Sequence, residues 1–325
     1  MIRLAFTCGD INGIGPEIII KTINTITSLS EKKIIVFIPK KVFENTIEII
    51  KPEFEFEITN KEITNENKKV IIFDIGNFKQ SIGEPTSQSG KAAFKSITEA
   101  FNFAKNGKVD GIITAPISKF SFNLAKINFS GHTELLAELT RTKNYMMMFL
   151  SDKMICGLVT IHLPLKKVSK LITQKKLRHS IEILYNTLKN DLGKENPKIA
   201  VLGLNPHAGE DGLIGIEEKE VIKPVIKSYR KKNVDGPFVP DAFFGLHKYE
   251  NYDAVLGMYH DQVLIPFKMM NFNLGVNYTA GLPIVRTSPD HGTAFDIAGY
   301  GVANPSSMIE AVKWAELIIR KRMKK

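Results

Sequence analysis

Short apolar runs alternate with amphipathic stretches along almost the whole chain, and no other feature of the sequence constrains the fold as strongly. Ile2–Thr7 (IRLAFT) reads as a strand, followed by a helix over Pro16–Ser28 with Pro at its first position and Glu17 in its first turn. Lys33–Pro39 (KIIVFIP), Val70–Phe73 (VIIF) and Val109–Ala115 (VDGIITA) read as further strands, with a helical stretch over Ser89–Asn106 between the last two. Strand material follows in Leu150–Leu163, then a helix over Leu165–Lys189 and a strand at Lys198–Leu204 (KIAVLGL). A helix over Ile216–Lys232, a strand at Tyr252–Met258 (YDAVLGM) and a closing helix over Ser306–Arg322 complete the pattern. Parallel strands must be joined by crossovers, usually helical, so this alternation predicts an α/β fold with a mostly parallel core sheet. No repeat, low-complexity tract or long linker interrupts it.

The chain has 325 residues, enough for two domains or one large α/β domain. Its formal net charge of +10 favours anionic partners. The lysines are scattered, as in Lys166-Lys167, Lys175-Lys176 and Lys231-Lys232, which describes a solvated surface and not a nucleic-acid-binding stripe. Cys8 and Cys156 both lie in apolar runs, so buried thiols in a reducing compartment are expected. The N-terminus does not suit a signal peptide, and no apolar run approaches the ~20 residues of a membrane span. A cytoplasmic protein, with neither membrane nor nucleic acid as partner, is expected.

Three of the seven histidines follow apolar strands directly: His162 in CGLVTIHLP, His207 in IAVLGLNPH and His260 in DAVLGMYH. In a parallel sheet all carboxyl ends lie on one edge, where ligands bind. Each imidazole alone reads more readily as a packed or surface side chain than as a ligand. Together, each beside a Pro or Gly at a strand end, they suit a divalent metal such as zinc with an open position for substrate.

Other strand exits also carry polar groups. GIITAPISK ends a strand and places Lys119 in a loop, and Gly131-His132-Thr133-Glu134 opens the helix LLAELT. GDINGIGPE follows a strand and opens a helix, but its glycine spacing is neither a Rossmann fingerprint nor a phosphate-binding P-loop; it reads as a tight strand-to-helix turn. The glycine-rich stretch from Met269 to Pro305 carries Asn277, Arg286, Asp290, His291, Thr293 and Asp296, with Arg286 suited to a bidentate grip on phosphate or carboxylate.

GDINGIGPE, TAPISK, GHTE, VTIHLPLKKV, GLNPHAGEDGLIG, YHDQ, GVNYTAGLP and RTSPDHGTAFDIAG, in this order, resemble the 4-hydroxythreonine-4-phosphate dehydrogenase family of pyridoxal phosphate biosynthesis. The resemblance implies an isocitrate/isopropylmalate dehydrogenase-like fold, with two α/β/α domains, a cleft between them, and a homodimer whose active site lies at the subunit interface. The first domain would join residues 1–127 to 266–325, and the second would span 128–265. The family's metal ligands fall on His162, His207 and His260, one zinc, magnesium or cobalt ion per subunit. Its substrate contacts fall on His132, Thr133, Lys268, Asn277 and Arg286. The NAD or NADP side falls on His291, Gly292, Thr293, Ala294 and Asp296. Lys268 is the candidate base or alkoxide stabiliser, with Asp241 and Asp261 as alternatives. The implied reaction oxidises a phosphorylated amino acid bearing a secondary alcohol, 4-phosphooxy-L-threonine, to a 3-oxo acid that loses carbon dioxide. Relatives acting on D-erythronate or D-threonate 4-phosphate would use the same contacts. A β-decarboxylating dehydrogenase of the isopropylmalate kind would bind metal through aspartates, which the histidine trio counts against. Ile11-Asn12 stands where the family loop usually has Pro-Ala.

Overall fold

The computed structural model describes residues 1–26, 31–61, 68–229 and 232–324. The end of the first expected helix at 27–28 and residues 230–231 of the helix expected over Ile216–Lys232 lie outside the described residues. The chain forms two compact units: Met1–Thr142 with Leu282–Ile319, and Lys143–Gly281 with Arg320–Lys325.

The first unit is built on six strands: β1 (Ile2–Thr7), β2 (Lys32–Ile38), β3 (Phe56–Thr59), β4 (Val70–Asp74), β5 (Gly111–Thr114) and β12 (Val285–Pro289). They run in the order β3-β4-β2-β1-β5-β12, and every pairing is parallel. Leu4, Phe6, Ile34, Val36, Ile72 and Ile112 are buried, as expected of strands covered on both faces. Helix Ser87–Lys105 starts at a capping box in which Thr86 and Ser89 each bond the other's backbone.

The second unit contains β6 (Met146–Leu150), β7 (Cys156–Leu158), β8 (Ile199–Leu202), β9 (Val234–Phe238), β10 (Ala254–Gly257) and β11 (Val276–Ala280). Their order is β11-β6-β7-β10-β8-β9. β7, β10, β8 and β9 are mutually parallel, while β6 runs antiparallel to both of its neighbours. A core cluster including Phe149, Cys156, Leu202, Phe243, Val255 and Phe267 lies within this unit.

The units divide at different residues from the expected 127/128 and 265/266. β11 pairs along its whole length with β6, which keeps residues up to Ala280 in the second unit. Residues 128–142 stay with the first, where the helix His132–Leu139 begins beside Ala115. The helix expected over Leu165–Lys189 is two helices, Leu165–Leu171 and Gln174–Asn190, because Thr173 leaves the helical conformation and caps the second by accepting from Lys176 N. β6, sequence MMMFL, escapes prediction because methionine carries no β-branch to mark a strand. Both cysteines are buried, and burial pushes the Cys8 thiol up to about 12. Among the described residues no helix is long and apolar enough to cross a membrane.

Candidate active site

The strands preceding His162, His260 and His207 are β7, β10 and β8, which are adjacent and parallel. Their carboxyl ends therefore share one edge. The His162 and His260 rings stand 5.7 Å apart between centroids, tilted by 40°. They line one cavity of about 210 Å³ with Thr160, Leu163, Leu165, Val168, Tyr259 and Asp261. His260 Nδ1 lies 2.7 Å from Asp261 Oδ1, which orients the ring and leaves Nε2 for another partner. Two imidazoles at this separation fit a single divalent ion, and a carboxylate behind one of them is the usual support for a metal-bound histidine.

His207 stands on a different kind of backbone. Residues 207–211 (HAGED) all have φ between 43° and 82°, a left-handed turn that L-residues resist. His162 also has a left-handed backbone, with φ 45°. Among the described residues no three His, Cys, Asp or Glu side chains are grouped closely enough to hold an ion, so His207 does not join the other two as a ready three-ligand cluster. Lys268 sits in the last turn of helix His260–Asn271, two helical turns beyond His260 and half-buried. Asn277 is half-buried on β11, opposite Phe149. Asp241 is exposed in the first turn of helix Pro240–Gly245.

The first unit holds a polar cluster. Arg286, on β12, is 2% exposed, and its Nε and Nη2 donate to Thr114 Oγ1 at 3.0 and 2.7 Å. Burial pushes the guanidinium down to about 9, while the charge of Glu134 opposes that shift. His132 is enclosed beside it. Burial, and then the Arg286 charge, hold its imidazole well below the usual range, although a bond to the Ala115 backbone works the other way. Its Nε2 is buried with no hydrogen-bond partner among the described residues. Thr133 is buried next to it. A buried cation beside a neutral imidazole is an environment suited to an anion.

The loop expected on the cofactor side packs on the N-terminal turn of the same unit. Ile14 N donates to Thr293 O at 3.0 Å, and a Cβ on Gly13 would come within 2.6 Å of that carbonyl. Ala294 is left-handed with φ 41°, His291 Nδ1 lies 3.1 Å from Gly292 O, and Gly292 and Asp296 are exposed. Asn12, a departure from the usual family loop, has a use: its Nδ2 donates to Glu84 O at 2.7 Å and its Oδ1 accepts from Ser81 N at 2.8 Å. Sequence reasoning passed over Thr114, the hydroxyl on which Arg286 rests. Its signals were its position at the end of a buried apolar strand and its place at the head of TAPISK.

The family profile described as "Pyridoxal phosphate biosynthetic protein PdxA" matches residues 30–315. This chain belongs to that family. It is 41% identical, over 97% of its length and 94% of the relative's, to a 4-hydroxythreonine-4-phosphate dehydrogenase of Desulforapulum autotrophicum. It is 39% identical, over 96% of each, to a putative D-threonate 4-phosphate dehydrogenase of Oceanobacillus iheyensis. The crystallised putative 4-hydroxythreonine-4-phosphate dehydrogenase of Salmonella typhimurium superposes with a TM-score of 0.85 at 37% identity, covering 98% of this chain and 99% of that one. Isocitrate dehydrogenase of Methylococcus capsulatus shares the fold alone, with a TM-score of 0.51 at 13% identity over 99% of this chain and 87% of its own. The PdxA-family chain is accordingly an enzyme of the dehydrogenase class on an isocitrate/isopropylmalate dehydrogenase-like fold.

Proposed function

We propose that this enzyme oxidises 4-phosphooxy-L-threonine with NAD or NADP to 2-amino-3-oxo-4-phosphooxybutanoate, which loses carbon dioxide to give 3-amino-2-oxopropyl phosphate in pyridoxal 5'-phosphate synthesis. The observation that carries this reading is identity of 41% over nearly the full chain with a relative of that named activity. When bound, the nicotinamide would accept hydride and a divalent ion (zinc, magnesium or cobalt) would acidify the alcohol. His162, His207 and His260 are the residues that would hold the ion, and Asp261 would orient His260. Arg286, with Asn277 and Thr133, would hold the phosphate or carboxylate. The unpartnered Nε2 of neutral His132 would accept a hydrogen bond from the bound substrate. Lys268 would take the hydroxyl proton or steady the alkoxide, with Asp241 and Asp261 as the other candidates. His291, Gly292, Thr293, Ala294 and Asp296 would form the cofactor side. On this reading the enzyme works in the cytoplasm as a homodimer in which each subunit helps to complete its partner's site, and exposed Ile265, Met269 and Phe272 on and beside helix His260–Asn271 offer an apolar surface for such a contact.

A second reading, oxidation of D-threonate or D-erythronate 4-phosphate, is favoured by the Oceanobacillus relative. These substrates carry the same phosphate and secondary alcohol, with a hydroxyl in place of the amino group. Nicotinamide reduction followed with each substrate, with and without chelator, tests both. The primary reading expects turnover of the amino acid that chelator abolishes. Faster turnover of the sugar acids would transfer the assignment to them. His207→Ala is expected to lower turnover by ~100-fold or more, beyond the ~10–100-fold seen when only the support of a metal ligand is lost, while leaving the circular dichroism spectrum unchanged. Wild-type rates in that variant without added metal would remove the metal from the reaction.

A further inference from the structure

The strand exits carrying His162, His260 and His207 are joined by a continuous series of hydrogen bonds that uses none of the histidines. Thr160, two residues before His162, donates to Met258 O twice, through its amide at 3.2 Å and its hydroxyl at 2.7 Å. Met258, two residues before His260, donates its own amide to Gln262 Oε1 at 2.7 Å. The other end of that side chain, Gln262 Nε2, donates to Gly203 O at 2.6 Å, at the exit of β8. Directly beyond, Leu204 N and Asn205 N both donate to Glu218 Oε1, at 2.6 and 2.8 Å, and Asn205 Nδ2 donates to Glu218 Oε2 at 2.9 Å. Gln262 is 9% exposed and Glu218 is 1% exposed. The left-handed HAGED turn is seated on that carboxylate, since a Cβ on Gly209 would come within 2.6 Å of Glu218 Oε2.

From this series we infer that Gln262 is a positioning residue, setting the spacing between the exit that bears His260 and the exit that bears His207, with Glu218 fixing the turn beyond. The inference rests on the reading that His162, His207 and His260 share a divalent ion. The side chain must present an acceptor to Met258 N–H and a donor to Gly203 C=O across one fixed gap. Glutamine meets both demands. Glutamate would set an oxygen against the Gly203 carbonyl, and methionine would leave a buried N–H and a buried C=O without partners.

The test is cobalt(II) titration of the purified full-length protein, followed by visible absorption, on wild type, Gln262→Met, Gln262→Glu and His207→Ala, with thermal melting of each. Both Gln262 variants are expected to bind cobalt about 10–100-fold more weakly, the range seen when the support of a metal ligand is lost. Their ligand-field bands should also be altered. A Gln262 variant that melts lower yet binds cobalt with wild-type affinity and spectrum would overturn the inference, because the side chain would then be merely stabilising. If Gln262→Met does not fold, Gln262→Glu, which keeps the acceptor for Met258, decides alone. Unchanged cobalt binding in His207→Ala would overturn the metal reading and this inference with it. Loss there, with no change in the Gln262 variants, would overturn the inference alone.

Discussion

The protonation of His132 depends in part on Arg286. Burial drives the guanidinium down to about 9, and the charge it retains at neutral pH helps to keep the enclosed imidazole unprotonated. The sign of the resulting pH dependence is fixed. An imidazole held below its ordinary value binds fewer protons folded than unfolded. Its contribution to stability is therefore complete above the unfolded value near ~6.5 and is lost as pH falls from there towards the depressed folded value. Melting temperature is expected to decline between neutral pH and pH ~5, and His132→Gln should flatten that part of the profile. An unchanged slope in the variant would show that His132 is not the group responsible. Arg286 was legible in the sequence as an anion-gripping side chain. That its resting partner is Thr114 was not, because residues 114 and 286 meet only through the pairing of β5 with β12.

Among the elements, loops are held by close backbone approach. Gly13 lies in the turn between β1 and helix Gly15–Thr25, and the Thr293 carbonyl occupies the space where a side chain would be. Gly13→Ala must push the His291–Asp296 segment outward. A stability loss of ~1–3 kcal/mol is expected, as for other overpacking substitutions, together with a raised KM for the nicotinamide cofactor. Denaturant unfolding and cofactor-dependent kinetics check the two effects, and an unchanged KM would separate this segment from cofactor binding. The strands bearing the histidines were legible because β-branched runs such as IAVL and AVLG stop at Gly, Pro or a polar residue. β6 was not, because MMMFL carries no β-branched residue, and β11 was not, because VNYTA lies in a glycine-rich stretch and its partner β6 pairs with it antiparallel across about 130 residues of sequence.

Over the whole molecule the chain passes between its two units three times, at 142/143, 281/282 and 319/320. The last passage places Arg322 in the second unit. There its Nε donates to Asp191 Oδ1 at 2.8 Å, and its Nη2 donates to Asp191 Oδ2 and Tyr278 Oη at 3.0 Å each. Tyr278 Oη donates to Asp191 Oδ2 at 2.6 Å, and burial is the main cause that pushes this phenol up. Arg322→Met would leave a largely buried carboxylate without its cation. The expected loss is ~3 kcal/mol, at the low end for a broken buried pair because the Arg322 side chain is partly solvated. Calorimetry should show that loss as a lowered melting temperature, and a melting curve identical to wild type would show that the ion pair adds nothing to stability.

By itself the sequence determined the fold class, the parallel β7, β8 and β10 strands, and the emergence of three imidazoles at strand ends, and it marked Arg286 as an anion-gripping side chain without the strand that carries it. Those features follow from local periodicity and from residues that terminate strands, which act within a few positions of one another. Only the tertiary structure decided that His162 and His260 share a cavity while His207 sits on a left-handed turn, that Thr114 lies under Arg286, and that the unit boundaries follow β11 and Arg322. These outcomes depend on strand order, register and burial, which come from contacts between residues far apart in the chain and leave no local periodicity to read.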